Sequence, residues 1–290
     1  MAVRTSPAKA TPPPAAPATR AAAPEPCPVC AGTVTQPARG RRRRYCSAPC
    51  RKTAHRRRRD GAKRRALVRL VEADARLFLA GLPSESVDLI VTDPPYHLAR
   101  GTTHFRNWFA ELPDEAWSAV LAELHRVLRR DRHAYVFCDR RIHPLLERVA
   151  HDAGFRVHPP LIWDKDRLGL GSGPWRSSYE LILFLEKGRR AGNHKTLRNI
   201  LRARAPIRRY PTEKPVEVLD TLIGQASLPG ELVLDPFCGS GSVGQAARAL
   251  GRRALLCDVD AAYAAGRLRL APTVPADTAA GRNDLAPEGA

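Results

Sequence analysis

Val87-Asp88-Leu89-Ile90-Val91-Thr92-Asp93-Pro94-Pro95-Tyr96 is an apolar run that stops abruptly at an acid, two prolines and an aromatic ring. Residues 87–91 read as a buried strand. Neither proline can donate to a ladder, so the strand ends there, and the residue before each proline is held extended. A rigid loop at the carboxyl end of a strand is where open α/β sheets bind ligands. This loop offers the Asp93 carboxylate, the Pro94 carbonyl and the flat ring of Tyr96. The set suits a planar group with an amine to be hydrogen-bonded and a face to be stacked on. The plain alternative is an ordinary strand-to-turn exit.

Outward from this loop, the 290 residues suffice for one sizeable domain with accessories. No apolar stretch approaches the ~20 residues of a membrane span, and no signal-peptide core is visible near the start. The seven cysteines are an odd number, four of them in a metal-like cluster, so a disulfide framework fits poorly and a reducing, cytoplasmic setting is expected. The net charge of +19 is unevenly spread. Residues 1–65 carry 17 Lys+Arg against Glu25 and Asp60, a balance of +15, whereas residues 66–290 balance at +4. So basic a separate segment points to a polyanionic partner, or to a solvated tail that aids solubility.

Residues 1–26 are mostly Ala, Pro, Thr and Ser, a composition that cannot bury a core and reads as a disordered arm. Residues 27–65 hold Cys27-x2-Cys30, fifteen residues, then Cys46-x3-Cys50 and a run of arginines. Two tight thiolate pairs across such a loop suit a closed tetrahedral Zn²⁺ site made by Cys27, Cys30, Cys46 and Cys50. The unit has few apolar residues, so metal would supply its folding energy. It resembles a treble-clef-like finger, with a basic helix from Ser47 to about Arg59 as a phosphate-binding surface.

From residue 66 the pattern is α/β. Strands are expected at 67–71, 87–91, 134–138, 157–163, 180–185, 232–234 and 253–257. Helices are expected at 75–80, at 114–128 with Asp114 as N-cap, at 144–153 closed by Gly154, at 213–226 and at 243–250. Residues 187–210 hold nine Lys+Arg and no acid, with little periodicity. The tail from 271 reads as disordered.

A second motif lies at Asp235-Pro-Phe-Cys-Gly-Ser-Gly-Ser242, a strand–glycine loop–helix junction. Gly239 and Gly241 let backbone approach a ligand closely. Asp258 follows Gly239 by 19 residues, at the end of the next strand, where an acid grips ribose hydroxyls in nucleoside-binding βαβ units. A tight βα turn without ligand is the plain alternative.

These two motifs, with Arg209-Tyr-Pro-Thr-Glu-Lys-Pro215 ahead of the second, resemble those of the DNA amino-methyltransferases that use S-adenosylmethionine, in the permuted order called the β group. The resemblance covers about residues 68–270. It implies a Rossmann-like class I methyltransferase fold, a mostly parallel sheet with helices on both faces, over residues 66–270. It implies that Asp93 and the Pro94 carbonyl accept from the exocyclic amine of a flipped base, that Pro95 stiffens the loop and that Tyr96 stacks. Pro236, Phe237, Gly239, Ser240 and Gly241 would line the cofactor, with Asp235 at its methionine end, Asp258 at its ribose and Asp74 near its adenine. Thr212, Lys214 and Pro215 would lie near its methionine carboxylate. Residues 187–210, where that family reads its target, form a very short segment here. Lys195, Arg198, Arg202, Arg204 and Arg208, with Arg100 and Arg106, are the candidates to hold double-stranded DNA by its phosphates.

The expected activity is N6-adenine methylation, because relatives beginning the tetrapeptide with Asp mostly modify adenine. N4-cytosine methylation is the neighbouring alternative. An RNA methyltransferase and a non-catalytic, zinc-dependent nucleic-acid-binding protein are the others. A cytoplasmic, nucleoid-associated enzyme is expected, with or without a cognate restriction endonuclease.

Overall fold

The computed structural model describes residues 26–37, 42–54, 56, 67–95, 112–113, 115–169, 174–194, 197–206, 210 and 212–270. The chain divides into two units, Met1–Asp60 and Gly61–Ala290. The expected arm and tail lie almost wholly outside the described residues, as do Asp114, Tyr96, Arg100, Arg106, Lys195 and Arg208.

In the larger unit the elements run β1 (Val68–Glu72), α1 (Ala75–Ala80), β2 (Val87–Thr92), α2 (Ala116–Val127), β3 (Leu128–Cys138), α3 (His143–Asp152), β4 (Arg156–Asp164) and β5 (Tyr179–Lys187). They continue with β6 (Ile200–Arg202), α4 (Val216–Ala226), β7 (Leu232–Asp235), α5 (Ser242–Ala249), β8 (Arg253–Asp258) and α6 (Ala262–Leu268). All eight strands join one sheet in the order β1-β8-β7-β2-β3-β5-β4-β6. Neighbours are parallel from β1 to β3. β5 runs antiparallel to both β3 and β4, and β6 is parallel to β4.

Every residue of β2 is buried, which explains its unbroken apolar run: both faces of a parallel sheet are covered, so alternation is not needed. Ile90, Val136 and Leu234 pack with Phe78, Leu121 and Leu146 of α1–α3 on one face. Leu89, Val91 and Val233 pack with Leu219, Ala246 and Leu268 of α4–α6 on the other. The one acid within β2, Asp88, accepts from Arg129 Nη1 at 2.6 Å and from the Leu232 backbone at 2.9 Å, so its charge is paired inside the sheet.

Three differences from the expected elements have physical reasons. β3 begins at Leu128 rather than 134: Leu128 pairs with Val87 of β2 and Arg132 with Lys187 of β5, and the polar residues 129–131 stand in an irregular step of the β2 register between them. Helix α2 starts at Ala116, preceded by Glu115 with no side-chain cap bond. The basic segment 187–210 is not all loop: Ile200–Arg202 forms the edge strand, in register with Ile162–Asp164. Among the described residues no helix is long and apolar enough to cross a membrane.

In the smaller unit, Cys27–Gly32 makes a tight knuckle: the Ala31 amide donates to Cys27 O at 2.8 Å and the Cys27 amide to Gly32 O at 2.8 Å. A helix begins at Ala48, with Ser47 Oγ accepting from the Cys50 amide at 3.3 Å.

Candidate active site and metal centre

The sheet dictates where the two motifs meet. From β7 the chain proceeds to β8 on one side, and from β2 to β3 on the other, so β7 and β2 flank the point where strand order reverses. A crevice opens at the carboxyl ends of such a pair. The Asp93-Pro94-Pro95 loop leaves β2 there, and the 236–241 loop leaves β7 there. A side-chain bond ties the two strand ends: Thr92 Oγ1 donates to Asp235 Oδ1 at 2.7 Å, both residues buried. Thr92 was not singled out by its sequence context.

Asp235 also accepts from the Phe237 amide at 3.2 Å. Its burial pushes the carboxyl up to about 7, against the pull of Thr92 and the Phe237 amide. A buried carboxyl held this high is suited to a cationic partner.

The glycine loop is closed by Asp258, whose Oδ2 accepts from the Gly239 amide at 2.7 Å. Gly239 (φ +46) and Gly241 (φ +73) adopt left-handed conformations that side chains resist. A Cβ on Gly239 would stand 3.2 Å from the Tyr210 ring, and one on Gly241 3.0 Å from Leu268. The Ser240 and Ser242 hydroxyls bond each other at 2.7 Å. Phe237 packs on the core beside the loop. Asp258 is raised by burial, which the amide bonds oppose. Asp74 caps α1, accepting from the Arg76 amide at 2.8 Å, and the Arg76 guanidinium holds its carboxyl below the usual range. The preceding Ala73 amide donates to Asp258 O at 2.9 Å, so Asp74 and Asp258 share one end of the sheet. A backbone-lined cradle flanked by carboxylates fits a nucleoside with a cationic tail.

The target loop is organised by a lysine. Lys214 Nζ is hydrogen-bonded to Asp93 Oδ2 and lies 3.4 Å from the Thr212 carbonyl. It also stands 3.4 Å from Glu180 Oε2. Pro215 stands at the N-cap of α4, directly after the lysine. The lysine expected near a cofactor carboxylate is thus engaged with the Asp93 carboxylate. Lys214 is 8% exposed. Burial works against its ammonium, yet Asp93 and Glu180 together hold its pKa above the ordinary lysine value. Asp93 Oδ1 is sealed from solvent and has no hydrogen-bond partner among the described residues. An unpaired buried acceptor costs about 1–3 kcal/mol, so this oxygen is poised for a donor.

Among the expected phosphate contacts, Arg202 pairs with Asp164 at 3.0 Å and Arg204 with Asp166 at 3.6 Å. Their side chains are 72% and 84% exposed, and pairs in that setting are weak enough for phosphate to compete. Arg198 is exposed.

In the smaller unit Cys27, Cys30, Cys46 and Cys50 bring their sulfurs within 4.8 Å of one another. The Cys30–Cys46, Cys46–Cys50 and Cys50–Cys30 separations are 3.4, 3.5 and 3.7 Å. Tetrahedral thiolates about 2.3 Å from zinc would be about 3.8 Å apart, so the four residues fit that ion.

Comparison with known proteins agrees with this geometry. The YubD protein of Escherichia coli (strain K12) is 33% identical over 186 residues, 64% of this chain and 82% of that protein. The DNA adenine methyltransferase YhdJ of the same organism is 27% identical over 233 residues, 67% of this chain and 79% of that protein. The structure of TTHA0409 from Thermus thermophilus, complexed with S-adenosyl-L-methionine, superposes with a TM-score of 0.52 at 26% identity. That match covers 69% of this chain and 94% of TTHA0409. The eight-stranded, mostly parallel sheet is a class I methyltransferase fold, with the Asp93-Pro94-Pro95 loop ahead of the 236–241 glycine loop in sequence. Residues 87–267 match the family model described as DNA methylase, and the chain belongs to that family.

Proposed function

We propose that this chain transfers a methyl group from S-adenosylmethionine to the exocyclic N6 of adenine in double-stranded DNA, acting on a base flipped out of the duplex. The buried Asp93 Oδ1, without a hydrogen-bond partner among the described residues, carries the reading: it is an acceptor suited to a donor at the end of β2. YhdJ, by its name, modifies adenine.

The cofactor supplies an activated methyl group on a sulfonium, already a good leaving group. Gly239 and Gly241 admit its nucleoside, Asp258 accepts from its ribose hydroxyls, Asp74 flanks its adenine and Asp235 pairs with its α-ammonium. The target amine is a poor nucleophile because its lone pair feeds the ring. Asp93 Oδ1 and the Pro94 carbonyl each accept one amine hydrogen, which favours a pyramidal nitrogen with its lone pair free. Tyr96 stacks on the base. Catalysis is in-line positioning plus this polarisation. The amine lone pair would take up the methyl group as the cofactor's C–S bond breaks, its electrons staying on sulfur, and the nitrogen would then shed one proton to water. Flipping costs a few kcal/mol, offset by phosphate contacts from Arg198, Arg202, Arg204, Lys195, Arg208, Arg100 and Arg106. Zn²⁺ on the four cysteines folds the N-terminal finger, whose cations add non-specific hold on the duplex. Such an enzyme works at the nucleoid, beside a cognate endonuclease where one exists.

The test is to incubate unmethylated duplex DNA and matched RNA with enzyme and cofactor, digest to nucleosides and weigh the products. N6-methyladenine from DNA is expected. Only N4-methylcytosine would move the target to the cytosine amine, and no methylated nucleoside would leave a zinc-dependent binding protein.

Asp235 gives a second, independent check. With a carboxyl near 7 in the free protein, it is about half protonated at pH 7. An α-ammonium beside it favours the ionised form, so its pKa falls and protons leave. Calorimetry in buffers of different ionisation enthalpy should report net proton release on cofactor binding at pH 6 to 7, turning to uptake by about pH 9, where the free cofactor's α-amino group (ordinarily about 7.7–8.0) must gain a proton. Uptake, or no release, at pH 6 to 7 would remove Asp235 from the cofactor's methionine end.

A further inference from the structure

We propose that Glu180 is a positioning residue for methyl transfer: with Lys165 behind it, it holds Lys214 on Asp93 Oδ2 so that Oδ1 alone faces the target amine. The inference rests on the function proposed above.

The chain brings four charged groups together from four places: Asp93 after β2, Lys214 before α4, Glu180 at the start of β5 and Lys165 just after β4. Lys165 Nζ meets Glu180 Oε1 at 2.6 Å, and Lys214 Nζ stands 3.4 Å from Glu180 Oε2. Lys214 closes the row on Asp93. Two carboxyl groups and two amines alternate along the row; burial raises the pKa of the Asp93 carboxyl, which the Lys214 ammonium opposes. Each lysine also lies 5.2 Å from an aromatic ring, Lys214 over Phe137 and Lys165 over Trp163, which limits where it can move. The strands enforce the row: Trp163 pairs with Glu180 across β4 and β5, and Cys138 pairs with Leu181 across β3 and β5.

The consequence falls on Asp93. A carboxylate has two oxygens, and a base amine needs one of them unoccupied and correctly aimed. Lys214 takes Oδ2, and Oδ1 is the oxygen without a partner among the described residues. Without Glu180 the ammonium would keep one anionic neighbour in place of two, in a site where burial already works against its charge. With Glu180 gone, Lys214 is held by a carboxylate from one side only, and the ammonium and the Asp93 carboxylate become free to turn together. The other titratable groups near Asp93, Asp235 at the end of β7 and Cys138 at the end of β3, both have their pKa values raised by burial. Neither supplies the missing anion to Lys214.

The experiment compares wild type, Glu180→Gln and Glu180→Asp in the full-length protein. It measures kcat on duplex DNA, cofactor Kd by calorimetry, melting temperature and the pH profile of kcat. Glu180→Gln should lower kcat about ten- to a hundredfold with cofactor Kd within about twofold. Its alkaline limb should move down by about one pH unit, because Lys214 loses its proton more easily. Glu180→Asp should recover most of kcat. Lys165→Met removes a cation from beside the row and should move the alkaline limb up; its side chain is 23% exposed, so this variant keeps the test open if Glu180→Gln does not fold. An unmoved limb in either folded variant would overturn the proposal. So would a loss confined to cofactor Kd, which would give Lys214 to the cofactor instead. Absence of methyl transfer by wild type would instead strike the proposed function, before any variant is compared.

Discussion

Asp93→Ala is expected to lower kcat for methyl transfer by about a hundred- to a thousandfold, the cost of losing one preorganised polar contact to the reacting group, while cofactor affinity changes little. Asp93→Asn is the sharper form of the experiment, because it keeps the shape. Lys214 is a donor and demands an acceptor at the Oδ2 position, so the Asn amide oxygen must turn toward it. The amide nitrogen, itself a donor, then faces the target amine where Oδ1 had been. Two donors oppose each other, and Asn should therefore be about as inactive as Ala. Single-turnover transfer of labelled methyl, with cofactor Kd and melting temperature measured alongside, decides it. Asn activity within about tenfold of wild type would mean that Asp93 does not accept from the amine.

How far this site was readable depends on how local its parts are. Asp93-Pro94-Pro95 and Gly239-Ser240-Gly241 announce themselves because prolines end a strand and glycines open a turn within a few residues. The 19-residue spacing to Asp258 is also local, one helix and one strand long, and the Gly239–Asp258 bond is there. Glu180 and Thr92 were not readable. Each looks like an ordinary strand residue, and each acquires its role from a partner far along the chain: Lys214 for Glu180, and Asp235 for Thr92 across 143 positions. The only local hint was an acid opening the apolar strand Glu180–Leu185. Edge strand β6 was missed for a different reason. Its three residues are exposed or half-buried, so no alternation was required of them, and backbone pairing with β4 alone makes them a strand. Helix α6 buries only Ala264 and Leu268, too thin an apolar stripe to register as a period.

If Zn²⁺ sits on the four cysteines, stripping it should unfold the N-terminal unit while the methyltransferase sheet stays intact. Among its described residues only Cys27 and Val34 are buried, each 2% exposed, so the apolar contribution to its stability is small. A structural Zn²⁺ on four thiolates contributes about 10–16 kcal/mol at neutral pH, far more than two buried side chains provide. Among the described residues, the sheet's two cores contain none before Val68. A strong chelator added to the full-length protein, or Cys46→Ser, should therefore collapse the amide signals of residues 27–56 and leave those of β2 and β7 in place. Cobalt added to the metal-free protein should restore them with thiolate absorption bands, and their persistence without any metal would remove the zinc site. The effect on DNA then follows from charge. Arg42, Arg43, Arg44, Arg51, Lys52 and Arg56 are exposed on the folded unit. If these cations bind phosphates only when the finger is folded, metal loss should weaken DNA binding and flatten its dependence on log salt, by about 0.9 for each phosphate no longer neutralised. The catalytic loop lies in the other unit, so kcat at saturating DNA should hold. A fall in kcat with an unchanged salt slope would instead give the finger a part in the chemistry.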